Sequence, residues 1–159
     1  MAALTLRHSR PEDATAMAQL ASRAYERYVS RIEREPAPMS ADYNLIAGAQ
    51  NTWVAESNGR IVGLLVLEAR RDHLLLENLA VAPEAQGIGI GARLLRVAEE
   101  VARERRLPEV RLYTNAAMTE NLNYYVRHGY RETHRGTHDG YRRVFFTKVV
   151  ADDPPDFAR

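Results

Sequence analysis

The chain contains no cysteine in its 159 residues. Disulfides, thiolate metal sites and a cysteine nucleophile are excluded together. Excess charge of one sign is missing too: 22 basic residues face 21 acidic ones, for a formal net charge of +1. Such a balance supplies no field to gather nucleic acid or an anionic membrane, so neither is expected as a partner. Uninterrupted apolar runs extend over only a few residues, far short of the ~20 that a spanning helix requires. The opening "MAALTLRHSRPED" lacks the apolar core and cleavage pattern of a secretory leader. These absences point to a cytoplasmic protein. No serine lies in a G-x-S-x-G elbow, which argues against a serine hydrolase. Of the five histidines, His134 and His138 stand four apart, but Gly136 lies between them and no glutamate completes a metal pattern. No metal is expected.

What is present reads as one domain over residues 1–150, followed by a polar, proline-rich tail at 151–159. "LTLRH" alternates as a strand does. In "SRPEDATAMAQLASRAYERYV", Pro11 and two acids open a helix, and Ala14, Met17, Ala21, Ala24 and Tyr28 form an apolar stripe. Pro36 and Pro38 break that helix, and Ser40 is placed to cap a shorter one. "NTWVAESNGRIVGLLVLEAR" predicts a hairpin turning at Asn58-Gly59, and "HLLLENLAVAP" a third strand. "ARLLRVAEEVARERR" carries Leu94, Leu95, Ala98, Val101 and Ala102 on one face, with Glu99 and Arg103 at i and i+4 on the other. A strand "EVRLYT", a short helix "ENLNYYVRH" and a strand pair around Asp139-Gly140 complete the chain. The order β-α-α-β-β-β-α-β-α-β-β predicts an α/β (α+β) fold, a mixed, mostly antiparallel sheet with about four helices.

The most informative stretch is "PEAQGIGIGARLL". Glycines packed this closely before a helix let backbone amides approach phosphate. A nucleotide P-loop is excluded because no Lys-Ser or Lys-Thr follows. The dinucleotide pattern G-x-G-x-x-[GA] is met by Gly87, Gly89 and Ala92, yet five residues separate the strand from the first glycine. The next strand, "VRLYT", is followed by Asn115 and not by the acid that would hold a ribose.

"ENLAVAPEAQGIGIGARLL" resembles motif A of the GNAT superfamily of N-acetyltransferases, [QR]-x-x-G-x-[GA], with Gln86, Gly89 and Gly91 in its three places. "NYYVRHGYRE" resembles the same family's Y-x-x-x-G-[FY], with Tyr125, Gly129 and Tyr130 in register. The element order is also the family's, and the resemblance runs from Leu4 to about Val150. It implies an acyl-CoA N-acyltransferase fold with a twisted sheet, and an enzyme that moves the acetyl group of acetyl-CoA to a primary amine by direct attack in a ternary complex. A domain of this fold that binds acyl-CoA without catalysis, as a sensor or scaffold, would carry the same motif.

The resemblance assigns cofactor contacts to Gln86, Gly87, Ile88, Gly89, Ile90, Gly91 and Ala92 at the pyrophosphate. Backbone amides of a bulged strand at Leu79, Ala80 and Val81 would pair with pantetheine and polarise the acetyl carbonyl. It makes Tyr125 the general acid on the leaving sulfur, since a phenol of pKa ~10 can donate to a thiolate whose thiol pKa is about 8.5. Its spacing to Gly129 selects it over Tyr124. Glu77 shares the strand face of Leu79 and Val81 if the strand is regular, where a carboxylate can drain a proton from the amine through water, anchor its ammonium, or be an ordinary polar strand residue. The family's usual polar contact falls on Met118, which cannot serve, leaving Asn115 and Asn121 as candidates, with helix capping a further role for Asn121. "SRIEREPAPMSADY" would border the acceptor groove. The acceptor is an amine-bearing small molecule or protein, and a homodimer is compatible with the sequence.

Overall fold

The computed structural model describes residues 3–150, so the tail at 151–159 lies outside the described residues. Seven strands form a mixed, mostly antiparallel sheet in the order β1-β2-β3-β4-β5-β7-β6, and the described residues include five α-helices. The chain divides into two compact units. The first holds the described residues through Leu67 together with Glu77–Leu94; the second holds Glu68–Leu76 and the described residues from Leu95 onward.

In the first unit, β1 (Leu4–His8) pairs antiparallel with β2 (Thr52–Ser57), from Leu4 opposite Ser57 to His8 opposite Trp53. β2 turns into β3 (Arg60–Ala69) through Asn58 (φ 53°) and Gly59 (φ 72°), the two positive dihedrals of the expected hairpin turn. A single 3-10 turn, Pro11–Asp13, leads into α1 (Ala14–Tyr25). The Asp13 carboxylate accepts from the Arg10 backbone N–H (2.7 Å) and from Arg7 (2.8 and 3.1 Å), while Arg7 also donates to Glu56 (3.0 Å). Arg7 holds the Asp13 carboxyl below its ordinary value. Every residue of the predicted stripe is buried, joined by Leu20 and Tyr25.

Three local details differ from the sequence expectation. The first helical stretch ends with α2 (Val29–Ile32), where Glu33 adopts a left-handed conformation (φ 62°), before either proline is reached. The prolines instead shape a 3-10 turn at Ala37–Met39. The cap of α3 (Tyr43–Ile46) is Asp42, whose carboxylate accepts from the Asn44 N–H at 3.0 Å, and not Ser40. The helix begins late enough that the nearer aspartate supplies the acceptor.

The second unit opens with the start of β4 (Leu74–Val81), parallel to β5 (Glu109–Asn115) over Leu74–Leu76 and Val110–Leu112. β5 pairs antiparallel with β7 (Tyr141–Val149), which pairs antiparallel with β6 (Arg131–His138) around the Asp139-Gly140 turn. α4 (Ile90–Glu104) begins in the first unit and continues in this one; α5 (Thr119–Arg127) follows β5. Leu95, Ala98, Ala102, Val110, Leu112, Val144 and Phe146 form this unit's core. Glu99 departs from expectation: it is buried, not on the solvent face, and its carboxylate accepts from Lys148 Nζ at 3.1 Å. The Lys148 ammonium gives the buried carboxylate an opposite charge, so it is not left unpaired.

Candidate active site

The predicted glycine turn sits where β4 hands over to α4, within the first unit. Beyond Val81 the chain is tied to β3 by the Ala82 N–H, which donates to the Val62 carbonyl at 2.8 Å. A 3-10 turn (Pro83–Ala85) follows, then Gln86, Gly87 (φ 83°), Ile88 and Gly89 (φ 92°). Gln86 to Gly89 are exposed, and Ile90 re-enters the core as the first residue of α4. A Cβ on either Gly87 or Gly89 would meet no heavy atom within 4 Å. Glycine is required here by backbone conformation, with open space over the turn, which is the condition for close approach of a phosphate. Gly91 and Ala92 lie in the first helical turn, half-buried. The seating is tight on the opposite side. Gly63 of β3 lets Ile90 and Leu94 pack directly on the strand, because an added Cβ there would sit 3.1–3.2 Å from both side chains. Gln86 turns its side chain back, Nε2 donating to the Val81 carbonyl at 3.1 Å, so it closes the turn.

β4 alternates as expected. Glu77, exposed, shares one face with the half-buried Leu79 and Val81; Asn78 and Ala80 are buried on the other. Sequence reasoning passed over Asn78. It accepts from the Tyr25 hydroxyl (2.7 Å) and donates to the Tyr43 hydroxyl (3.1 Å). Tyr25 also donates to the Leu79 carbonyl (3.1 Å), and Tyr43 to the Pro38 carbonyl (2.6 Å). α1, α3, the proline segment and β4 are thereby joined through one buried polar network. The signal available in sequence was a lone amide in an apolar strand, which cannot announce its partners.

The second unit holds Tyr125 and Asn121. Tyr125 is buried on α5, with its ring edge-on to Tyr124 (5.5 Å) and Tyr130 (5.7 Å) and 5.9 Å from Phe146. Burial pushes its phenol well above the ordinary value. Its motif partner Gly129 has φ 89° and ends the helix, with the Tyr130 N–H donating to the Tyr125 carbonyl at 3.0 Å. A Cβ at Gly129 would also lie 3.2 Å from Lys148 Cε. That lysine donates to the His128 carbonyl (3.0 Å) and to Glu99, placing a cation at the helix C-terminus. Asn121 is not the helix cap, which is Met118. Its amide nitrogen lies 3.4 Å from Thr114 Oγ1 and 3.5 Å from Met118 Sδ. Asn115 is engaged in its own turn, accepting from the Ala117 N–H at 2.9 Å. His134 and His138 do not meet a metal cluster: both rings pack on Phe145, at 4.2 and 5.2 Å. Among the described residues no group of three histidine or carboxylate side chains could hold a metal ion.

The sheet order and the glycine turn between β4 and α4 define a protein of the acyl-CoA N-acyltransferase fold. The chain belongs to the acetyltransferase (GNAT) family, whose pattern matches residues 14–130. It is 29% identical to N-acetyltransferase 8 of Mus musculus over 121 residues, 72% of this chain and 53% of that protein. It is 32% identical to the aminoalkylphosphonate N-acetyltransferase of Salmonella typhimurium over 98 residues, 57% of this chain and 63% of that one. The chain spans about half the length of the mouse relatives it matches. In fold it is similar to the PaiA N-acetyltransferase of Thermoplasma acidophilum, solved in complex with coenzyme A. The TM-score is 0.77 at 19% identity, covering 92% of this chain and 99% of that one. Among the described residues no helix is long and apolar enough to cross a membrane.

Proposed function

We propose that the chain transfers the acetyl group of acetyl-CoA to a primary amine by direct attack while both are bound. The observation that carries this reading is the open turn at Gly87 and Gly89, in left-handed conformation immediately before α4, in a chain of this family. Residues 1–150 act as one acetyltransferase domain in this reading, in keeping with a family match that runs through segments of both units.

Acetyl-CoA supplies an activated thioester. Backbone N–H groups from Gly87 to Ala92 hold its diphosphate, with the Gln86 side chain keeping the turn closed. Those of Leu79, Ala80 and Val81 hold the pantetheine and polarise the acetyl carbonyl, a contribution that preorganised amides make without reorganisation. Tyr125 donates a proton to the departing sulfur. Its raised phenol stays protonated throughout the working pH range, so the donor form is always present. Glu77, exposed on the face of Leu79 and Val81, takes a proton from the amine through water or anchors its ammonium. Asn121 offers its side-chain amide to the bound donor. The acceptor is a small amine or a protein amine.

Calorimetry with coenzyme A, followed by thiol release from acetyl-CoA across a panel of amines, tests the reading. Binding with amine-dependent thiol release is expected. Binding with no release for any amine would leave a non-catalytic acyl-CoA binder, and absence of binding would remove the reading altogether.

A further inference from the structure

Beside the turn, and sharing Gln86 with it, one cavity of the first unit is lined by a cationic pair that the functional reading does not use. Arg23, on α1, and Arg27, in the 3-10 turn Glu26–Tyr28 that follows it, stand four residues apart, close to one helical turn. With Ala24, Glu26, Pro83 and Gln86 they line a cavity of about 290 Å³. Both guanidiniums are braced. Arg23 Nη1 donates to both oxygens of Glu84, at 2.8 and 3.0 Å, and Arg60 Nη2 lies 4.0 Å from the same carboxylate. Arg27 donates to the Tyr28 hydroxyl at 2.7 Å, its guanidinium 4.8 Å from that ring's centre. Of the charged residues that line the cavity two are arginines and one, Glu26, is an acid, while Glu84 stands behind Arg23 as its ion-pair partner. Glu84 shows what Arg23 and Arg60 are disposed to hold, namely an oxyanion. A phosphate-type group carries more charge than a carboxylate and matches a guanidinium fork at least as well.

We propose that this cavity is an oxyanion site in which Arg23 and Arg27 bind a phosphate or phosphonate group, and that Glu84 is the internal competitor displaced from Arg23 when the group enters. The source of that group rests on the acetyltransferase reading: it is either a phosphate of the acetyl donor or an anionic substituent of the amine acceptor.

Inorganic pyrophosphate is the first probe, because its binding requires no acetyl transfer. Calorimetry on the whole chain should show Arg23→Gln and Arg27→Gln each weakening it about tenfold, the loss of one charge-assisted contact. Glu84→Gln should tighten it severalfold, a gain that misfolding does not produce. Two further arms separate the sources. If the group comes from the donor, the arginine variants lose affinity for coenzyme A and not for pantetheine. If it comes from the acceptor, they raise KM for 2-aminoethylphosphonate and not for ethanolamine. Arginine-dependent pyrophosphate binding without any binding of coenzyme A would uphold the oxyanion site and sink the acetyltransferase reading. Unchanged binding of pyrophosphate, coenzyme A and the phosphonate in all three variants would overturn the proposal, while continued acetyl transfer by them would leave that reading in place.

Discussion

Gly89→Val separates what the glycine turn does for the fold from what it does for the ligand. Gly89 has φ 92°, and nothing lies within 4 Å of an added Cβ, so the cost is conformational and not a collision with the surroundings. Placing an L-residue in left-handed backbone costs roughly 1–2 kcal/mol, and a β-branched one sits at the upper end. Against a domain stability of about 5–15 kcal/mol the chain still folds. For a chain of this length Tm should fall by roughly 3–6 °C. The strain is relieved only if the turn rotates its peptides, and rotated amides no longer converge on a phosphate. Coenzyme A affinity should therefore fall more than tenfold, about 1.4 kcal/mol or more. The internal control is Gly59→Val, at φ 72° in the β2–β3 hairpin and equally open. It should lower Tm comparably and leave coenzyme A binding unchanged. Thermal melts and calorimetry on both variants decide the matter. Tight binding by folded Gly89→Val, or equal loss of affinity in Gly59→Val, would refute the cradle.

Tyr125→Phe keeps the ring contacts and should lower kcat by ~10²–10⁴ with little change in KM for acetyl-CoA. Because burial raises that phenol, the wild-type rate profile should show no basic limb below pH ~10, the ordinary phenol value; steady-state rates from pH 7 to 10 check both points. Tyr130→Phe should be neutral or stabilising by up to about 1 kcal/mol in urea unfolding, since the Tyr130 hydroxyl is buried with no hydrogen-bond partner among the described residues. A loss of stability would show that the hydroxyl is satisfied in solution. Burial pushes the Tyr43 phenol up to about 12. Between the unfolded value of ~10 and that point the native state keeps a proton that the unfolded chain has released. Its contribution is full below pH ~10 and lost as pH rises through about 12, so stability should drop between pH ~10 and about 12, and less steeply in Tyr43→Phe.

The local chemistry of this chain was legible in its residues. The Asn58-Gly59 and Asp139-Gly140 turns, the α1 stripe and the glycine turn before α4 all depend on periodicity or on dihedrals set within a few residues. Such features appear in sequence because the chain cannot form them without those residue types. Tertiary structure decided the polar partnerships. Nothing near Glu99 announces Lys148, 49 positions away, and the same lysine lies 3.2 Å from where a Cβ at Gly129 would stand. Asn78 gains its meaning only when α1 and α3 bring Tyr25 and Tyr43 to it. Arg23 and Arg27 line a cavity only because the fold brings Pro83 and Gln86 against them. A polar side chain's role is set by which distant groups replace its water, and that replacement exists only once the chain has folded.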